Sequence, residues 1–78
     1  MTSIKDKLNN LIEIQFQLFI GELKCYYNMN GSNYKMVDFF MEKHFKLREN
    51  AIDLNIINIA DKYYDTIDDL IRNISGEE

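Results

Sequence analysis

The chain has 78 residues, 46% of them hydrophobic and 28% charged, and it carries a formal net charge of −4 at pH 7. This balance excludes the charged, aromatic-poor composition of disordered chains, and the length leaves room for one helical domain over residues 1–78. A core this small lies near the lower limit of what folds without a partner, a metal or disulfides.

Several classes of protein are excluded by the same residues. No apolar run exceeds three residues, as in Leu18 to Ile20, whereas a membrane span needs roughly 18. The opening residues lack the basic leader and apolar segment of a secretory signal. The single cysteine, Cys25, excludes an internal disulfide and a thiolate metal site, and we expect a buried structural thiol. We therefore expect a protein of the cytoplasm, the host cytoplasm if a phage encodes it, with no cofactor, metal or membrane contact.

The first predicted element is a long helix over residues 3–29. Residues 12–18 alternate between apolar and polar side chains, which alone would indicate a strand. Over the longer window, however, the apolar side chains form one continuous arc of roughly 240° around a helix. Ser3, with Asp6 three residues later, resembles a capping box, and Gly31 supplies a helix end.

The second predicted element is an amphipathic helix over residues 33–50, with Ser32 or Asn33 as its N-cap. The third is a helix over residues 55–75, for which we predict Asn55 as N-cap and Gly76 as the end. Its isoleucine-rich face is unbroken. The sequence thus predicts an all-α fold, a three-helix bundle with a long first helix.

The wide apolar arc of the first helix is the main indication of function. A helix that packs on its neighbours in a monomer needs an apolar stripe of little more than about 100°. We therefore predict an interface on this helix, formed either with a second copy, as a homodimer, or with a target protein. The alternative is that the other two helices bury the arc on both sides. The candidate interface residues are Ile14, Leu18, Phe19, Tyr26 and Phe39.

Four aspartates, Asp61, Asp65, Asp68 and Asp69, share one polar arc of the third helix. We predict that this acidic face binds a protein partner with a basic surface. The alternative is a solvated face that only keeps the protein soluble. A metal site is not expected, because a helix does not converge carboxylate oxygens as a calcium-binding loop does.

The second helix carries a candidate anion or nucleic-acid contact formed by Lys43, His44 and Arg48. His44 is the only histidine, and it falls within the apolar face with Arg48 one turn further on. The alternative is a partly buried histidine between helices. Nucleic acid is an unfavourable partner overall, because affinity for phosphates comes from basic residues and this chain is acidic.

No sequence pattern indicates a catalytic site, a metal centre or a phosphate-binding loop, so we expect a protein that is not an enzyme. The leading hypothesis is an acidic helical protein-binding module, a small regulator or inhibitor that occupies a surface of a larger protein. The abundance of Ile, Asn, Lys and Tyr is typical of AT-rich coding sequence and suggests a phage or mobile-element protein, for example an anti-defence protein such as an anti-CRISPR. The alternatives are a dimeric nucleic-acid-binding regulator that uses the basic face of the second helix, and a small structural subunit of a larger assembly.

Overall fold

The computed structural model describes residues 3–76 and consists of helices joined by short turns. Helix α1 covers Ile4–Asn30, a short 3-10 helix covers Tyr34–Met36, helix α2 covers Val37–Asp53 and helix α3 covers Ile57–Ser75. No strand occurs in the part of the chain that the structure describes. The predicted all-α class is confirmed, and the alternating segment of the first helix does not form a strand.

The ends of α1 follow the residues that the sequence indicates. At its start, the hydroxyl oxygen of Ser3 accepts a hydrogen bond from the backbone N–H of Asp6 at 3.1 Å. At its end, Gly31 has φ 67° and ψ −152°, a backbone region that is essentially restricted to glycine. The Gly31 N–H donates to the carbonyl oxygen of Tyr27 at 2.8 Å and closes the last turn. Both boundaries lie one residue later than predicted.

The turn after α1 is bound to the far end of α3. The Asn33 side chain accepts from the N–H of Lys35 at 3.2 Å and caps the 3-10 helix, so the regular part of α2 begins later than the predicted residue 33. The Asn33 N–H donates to the carbonyl of Ile74 at 2.6 Å, and the Ser32 hydroxyl donates to the carbonyl of Asn73 at 3.0 Å. These bonds satisfy carbonyls that have no partner inside α3.

Asn55 has a different role from the predicted N-cap. Its φ of 59° is left-handed, and its N–H donates to the carbonyl of Ile52 at 2.9 Å. The next N–H, that of Ile56, donates to the carbonyl of Ala51 at 2.8 Å. This pair of bonds is a Schellman motif, in which asparagine replaces the usual glycine. Ile56 and Ala51, whose backbones it joins, are both buried in the core. Asn55 therefore ends α2, and α3 begins without a side-chain cap.

Helix α3 is the centre of the structure, because it packs along both α1 and α2, whereas α1 and α2 make few contacts with each other. The 27 residues of α1 span about 40 Å at 1.5 Å per residue, which accounts for most of the longest dimension of 45 Å. The buried apolar residues form one cluster, consisting of Ile12, Phe16, Phe19, Leu23, Phe40, Ala51, Ile56, Ile59, Ala60, Ile67, Ile71 and Ile74.

Candidate protein-interaction site

Only a narrow line of the apolar arc of α1 is buried. The line consists of Ile12, Phe16, Phe19 and Leu23, which are spaced four, three and four residues apart and therefore lie on one side of the helix. Because α3 and, less closely, α2 lie on this side, the residues of the arc that face away from both helices are left exposed. The helix thus carries more apolar surface than the rest of the described chain covers.

The uncovered part of the arc is a second line of large apolar side chains, which we call the α1 stripe. It consists of Ile4, Leu11, Ile14 and Leu18, whose exposed fractions are 77%, 57%, 49% and 69%. Ile4, Leu11 and Leu18 are seven residues apart, so they follow one edge of the helix. Cys25 continues this spacing and is also exposed, which corrects the expectation of a buried thiol.

Two of the predicted interface residues belong to the interior instead. Phe19 is only 4% exposed, because it lies on the buried line of α1 and packs against Phe40 with 6.4 Å between ring centroids. Tyr26 is half-buried, with its ring edge on Phe40 at 5.2 Å and its hydroxyl accepting from the Asn33 side chain at 3.0 Å. Phe19 is therefore corrected from an interface residue to a core residue, whereas the predicted positions Ile14, Leu18 and Phe39 are exposed.

An open groove separates α1 from α2 beside the α1 stripe. One part has a volume of about 340 Å³, with Leu18 and Phe19 on one wall and Leu47 on the other. The ion pair between Glu22 and Lys43, with 2.8 Å between carboxylate oxygen and ammonium nitrogen, bridges this part. A second part, of about 360 Å³, continues towards the start of α1. The groove and the stripe form one continuous, largely apolar surface on the side of α1 away from α3.

His44 and Arg48 lie beneath α3 rather than at the surface. His44 is 2% exposed, and its ring lies 5.4 Å from that of Tyr64 and 6.4 Å from that of Phe19, measured between centroids. Burial lowers the pKa of His44 and the positive charge of Arg48 lowers it further, while the negative charge of Asp68 raises it by a smaller amount. This buried imidazole is inaccessible to an anion in solution. The structure therefore corrects the prediction of His44 as an anion or nucleic-acid contact and agrees with the alternative of a histidine between helices.

The basic side chains of α2 are all engaged by acidic ones. Lys43 pairs with Glu22 on α1, Lys46 pairs with Glu42 at 3.3 Å, and Arg48 pairs with an acid on α3. Lys43 also lies over the ring of Phe39, 5.3 Å from its centroid. The second helix therefore does not present a row of unpaired cations.

The four predicted aspartates divide into two pairs with different surroundings. Asp61 forms an ion pair with Arg48 at 3.3 Å, and Asp68 forms one with Arg72 at 3.1 Å. Asp65 and Asp69 form no ion pair with any residue from 3 to 76, and both are exposed one helical turn apart. The charge available to a partner on α3 is therefore concentrated on Asp65 and Asp69.

Sequence reasoning missed one polar cluster between α1 and α3. The carboxylate of Glu13 accepts hydrogen bonds from the Lys62 ammonium at 2.8 Å and the Tyr63 hydroxyl at 2.6 Å. The Tyr63 hydroxyl in turn accepts from the Gln17 amide at 3.2 Å. Hydrogen bonds from Lys62 and then Tyr63 lower the pKa of Glu13. No local pattern marks this cluster, because its members lie about 50 residues apart in the chain.

Within residues 3–76, no group of three or more His, Cys, Asp or Glu side chains is placed to hold a metal ion. None of the described helices combines the length and the apolar character needed to cross a membrane. Comparisons of the chain with protein-family models, with curated proteins and with solved structures found no significant match. The exposed α1 stripe is therefore the main feature of the described residues that bears on function.

Proposed function

We propose that this chain is a helical protein-binding module that acts without chemistry of its own, by covering a surface of another protein. The observation that carries the proposal is the α1 stripe. Its four side chains are exposed by 49–77% of their surface, although a complete core lies on another side of the same helix. Contiguous exposed apolar surface of this kind is uncommon on a monomer and marks interaction sites.

The arrangement of charge supports a protein partner with a basic surface. Asp65 and Asp69 project from α3, so the acidic pair and the apolar stripe lie on different sides of the molecule. Charges that lie outside an apolar contact act at long range, by orienting the approaching partner and speeding association, whereas buried apolar anchors supply most of the affinity. We propose that the stripe provides the anchors and the acidic pair the orientation.

A nucleic-acid-binding regulator is the less favoured function. Phosphate binding would require the cations of α2, but Lys43, Lys46 and Arg48 are each held by a carboxylate in the folded chain. Binding to phosphates would first require these three ion pairs to break. In addition, the net charge of −4 would repel a polyanion. A module that occupies a protein surface fits this charge distribution better.

Within that class, we propose a regulator or inhibitor of the phage or mobile-element kind, such as an anti-defence protein in the host cytoplasm. The support for this narrower statement is the short chain and the residue usage typical of AT-rich genomes. An inhibitor of this kind needs a folded domain and a surface for its target, and the helical core and the exposed α1 stripe support the proposal in these two respects.

The proposal is tested by capturing a target with variants that alter one surface at a time. We expect Leu18→Glu to weaken capture at least about tenfold, because a charge at the centre of an apolar contact is costly to desolvate. Asp65→Lys combined with Asp69→Lys should weaken capture by a smaller factor and reduce its dependence on salt. Quantitative mass spectrometry of proteins bound to the tagged chain measures both effects.

The matched control is Ile52→Glu, which places the same charge on a 57% exposed isoleucine of α2 outside the α1 stripe. Far-UV circular dichroism should show unchanged helicity for every variant. A target that binds the Leu18→Glu variant as tightly as the original chain would contradict the proposal. Retention on bulk DNA that decreases steeply with salt would favour the nucleic-acid-binding alternative.

A further inference from the structure

We infer that the partner covering the α1 stripe is a second copy of this chain, related by a two-fold axis that places the two α1 helices antiparallel. The inference rests on the proposed function only in that the stripe is an interaction surface. It names a second copy as the molecule that occupies the stripe, which leaves Asp65 and Asp69 on α3 open to a target. It depends on three features of the described residues, namely the symmetry of the stripe, the register of α1 against α2, and the charges beside the groove.

The seven-residue series of the stripe, extended by Cys25, is symmetric about its midpoint, and Ile14 is matched there with Gln15. Leu11 and Leu18 lie at equal distances from a point between positions 14 and 15, and so do Ile4 and Cys25. An antiparallel copy centred there brings Leu11 against Leu18 of the second copy at two equivalent places. A two-fold interface requires such self-complementarity, because each contact must occur twice. The seven-residue spacing also keeps these side chains on one edge along the whole contact.

The residue of α2 that lies opposite the midpoint of the stripe is Asn50. Gln15 and Asn50 line both parts of the groove, so they face each other across it. The ion pair between Glu22 and Lys43 confirms this register, since each lies seven residues from Gln15 or Asn50 on the same side. The two-fold axis that passes the middle of the α1 stripe therefore passes α2 close to Asn50.

Two opposite charges flank Asn50 on α2, one on each side along the helix. Lys46 precedes Asn50 by one turn and Asp53 follows it by nearly one turn, and both side chains line the groove. In an antiparallel dimer, Lys46 of each copy lies beside Asp53 of the other. Two equivalent ion pairs then form when Lys46 exchanges its exposed pairing with Glu42 of its own chain, which contributes little to stability. In a parallel dimer the two-fold axis runs along the helices, so the two α2 helices lie on opposite sides of the α1 pair and these ion pairs do not form. Asp53 forms no ion pair within residues 3–76, so its charge is available.

Charge reversal tests the inference, with the dissociation constant of the dimer measured by analytical ultracentrifugation. We expect Lys46→Asp and Asp53→Lys each to raise the dissociation constant by about tenfold, because each replaces two attractive contacts by two repulsive ones. The double variant should return to within about threefold of the original chain. Lys35→Asp, a charge reversal at an exposed lysine away from the groove, is the control and should have little effect.

Disulfide trapping tests the direction of the helices independently. An antiparallel dimer places Cys25 near Ile4 of the second copy and far from the second Cys25. We therefore expect Ile4→Cys to give an oxidised covalent dimer readily, whereas the original chain with Cys25 alone should give little. Efficient trapping of the original chain would overturn the antiparallel arrangement, and so would a double charge variant that remains as weak as the single ones.

The outcomes also separate this inference from the proposed function. A chain that is monomeric at all concentrations, but whose target capture is lost in Leu18→Glu, would overturn the dimer and leave the proposed function standing. A dimer with the expected charge rescue that captures no target would support the inference and contradict the proposed function. Leu18→Glu should shift the dimer to a monomer while its helicity is retained.

Discussion

Helices α1 and α3 both carry long apolar faces, but only α3 has neighbours that cover its face. On α3, Ile59, Ile67, Ile71 and Ile74 are all buried between the other two helices. On α1 a single line of side chains is buried, and an equally apolar line beside it is open. Burial thus depends on the number of neighbours rather than on hydrophobicity. The open line is not required for the core of one chain, which is why we assign it to a partner.

The largest expected effect is on the free energy of unfolding, and it compares an alanine substitution on α3 with one on α1. Ile67→Ala on α3 should lower the free energy of unfolding by about 2–5 kcal/mol, because a fully buried isoleucine is replaced by a cavity. Leu18→Ala on α1 removes a side chain of the same size from a 69% exposed position, and in dilute protein it should cost no more than about 0.5 kcal/mol. Urea unfolding monitored by circular dichroism measures both values.

Protein concentration sharpens the same comparison. If the α1 stripe is covered by a second copy, the cost of Leu18→Ala should increase with concentration, because dimer formation then contributes to stability. The cost of Ile67→Ala should remain large at every concentration. Equal costs for the two substitutions in dilute protein would contradict the assignment of Leu18 to the surface.

The helices could be predicted because their signals are local. The unbroken apolar face of α3 follows directly from spacings of three and four residues, and Ser3, Gly31 and Gly76 mark helix ends as expected. The width of the α1 arc likewise indicated that part of this helix would remain uncovered. These features depend on residues that are neighbours in sequence.

The division of the α1 arc could not be predicted, because it depends on where the other helices pack. Leu18 and Phe19 are adjacent and both strongly apolar, yet one is exposed and the other belongs to the core. The expectation of a buried Cys25 is wrong for the same reason, since the thiol lies on the side of α1 that no helix covers. The hydrogen bonds of Glu13 with Lys62 and Tyr63 join distant parts of the chain and leave no local trace. Only the packing of α3 on α1 brings them together.

The turn that positions α3 relative to α2 should give an intermediate effect. Asn55→Ala is expected to destabilise the chain by about 1 kcal/mol, because a side chain with Cβ and no local hydrogen-bonding group is disfavoured at φ 59°. Asn55→Gly should be neutral or stabilising, since glycine enters the left-handed region freely. For a chain of this length, a loss of that size corresponds to a decrease in Tm of roughly 4–8 °C.

The Asn55 variants should also affect α1 and α3 differently in amide hydrogen exchange. Because Asn55 sets the approach of α3 to α2, Asn55→Ala should increase amide hydrogen exchange in α3 and in the buried line of α1 that packs on it. The exposed stripe residues should keep their ability to associate. A stability change of the same size and sign for the alanine and glycine variants would show that the left-handed conformation is not the cause.

The smallest expected effect concerns pH and the packing of α3 over His44. Since burial lowers the pKa of His44 below its ordinary value of 6.5, the unfolded chain binds a proton more readily than the folded one. Stability should therefore fall as the pH decreases below about 6.5 and level off below the lowered pKa of the folded state. His44→Phe keeps a ring against Phe19 and Tyr64 but cannot titrate, so its free energy of unfolding should vary less between pH 7 and pH 5. An identical pH dependence in the variant and the original chain would mean that His44 titrates normally, and hence that α3 does not exclude water from it.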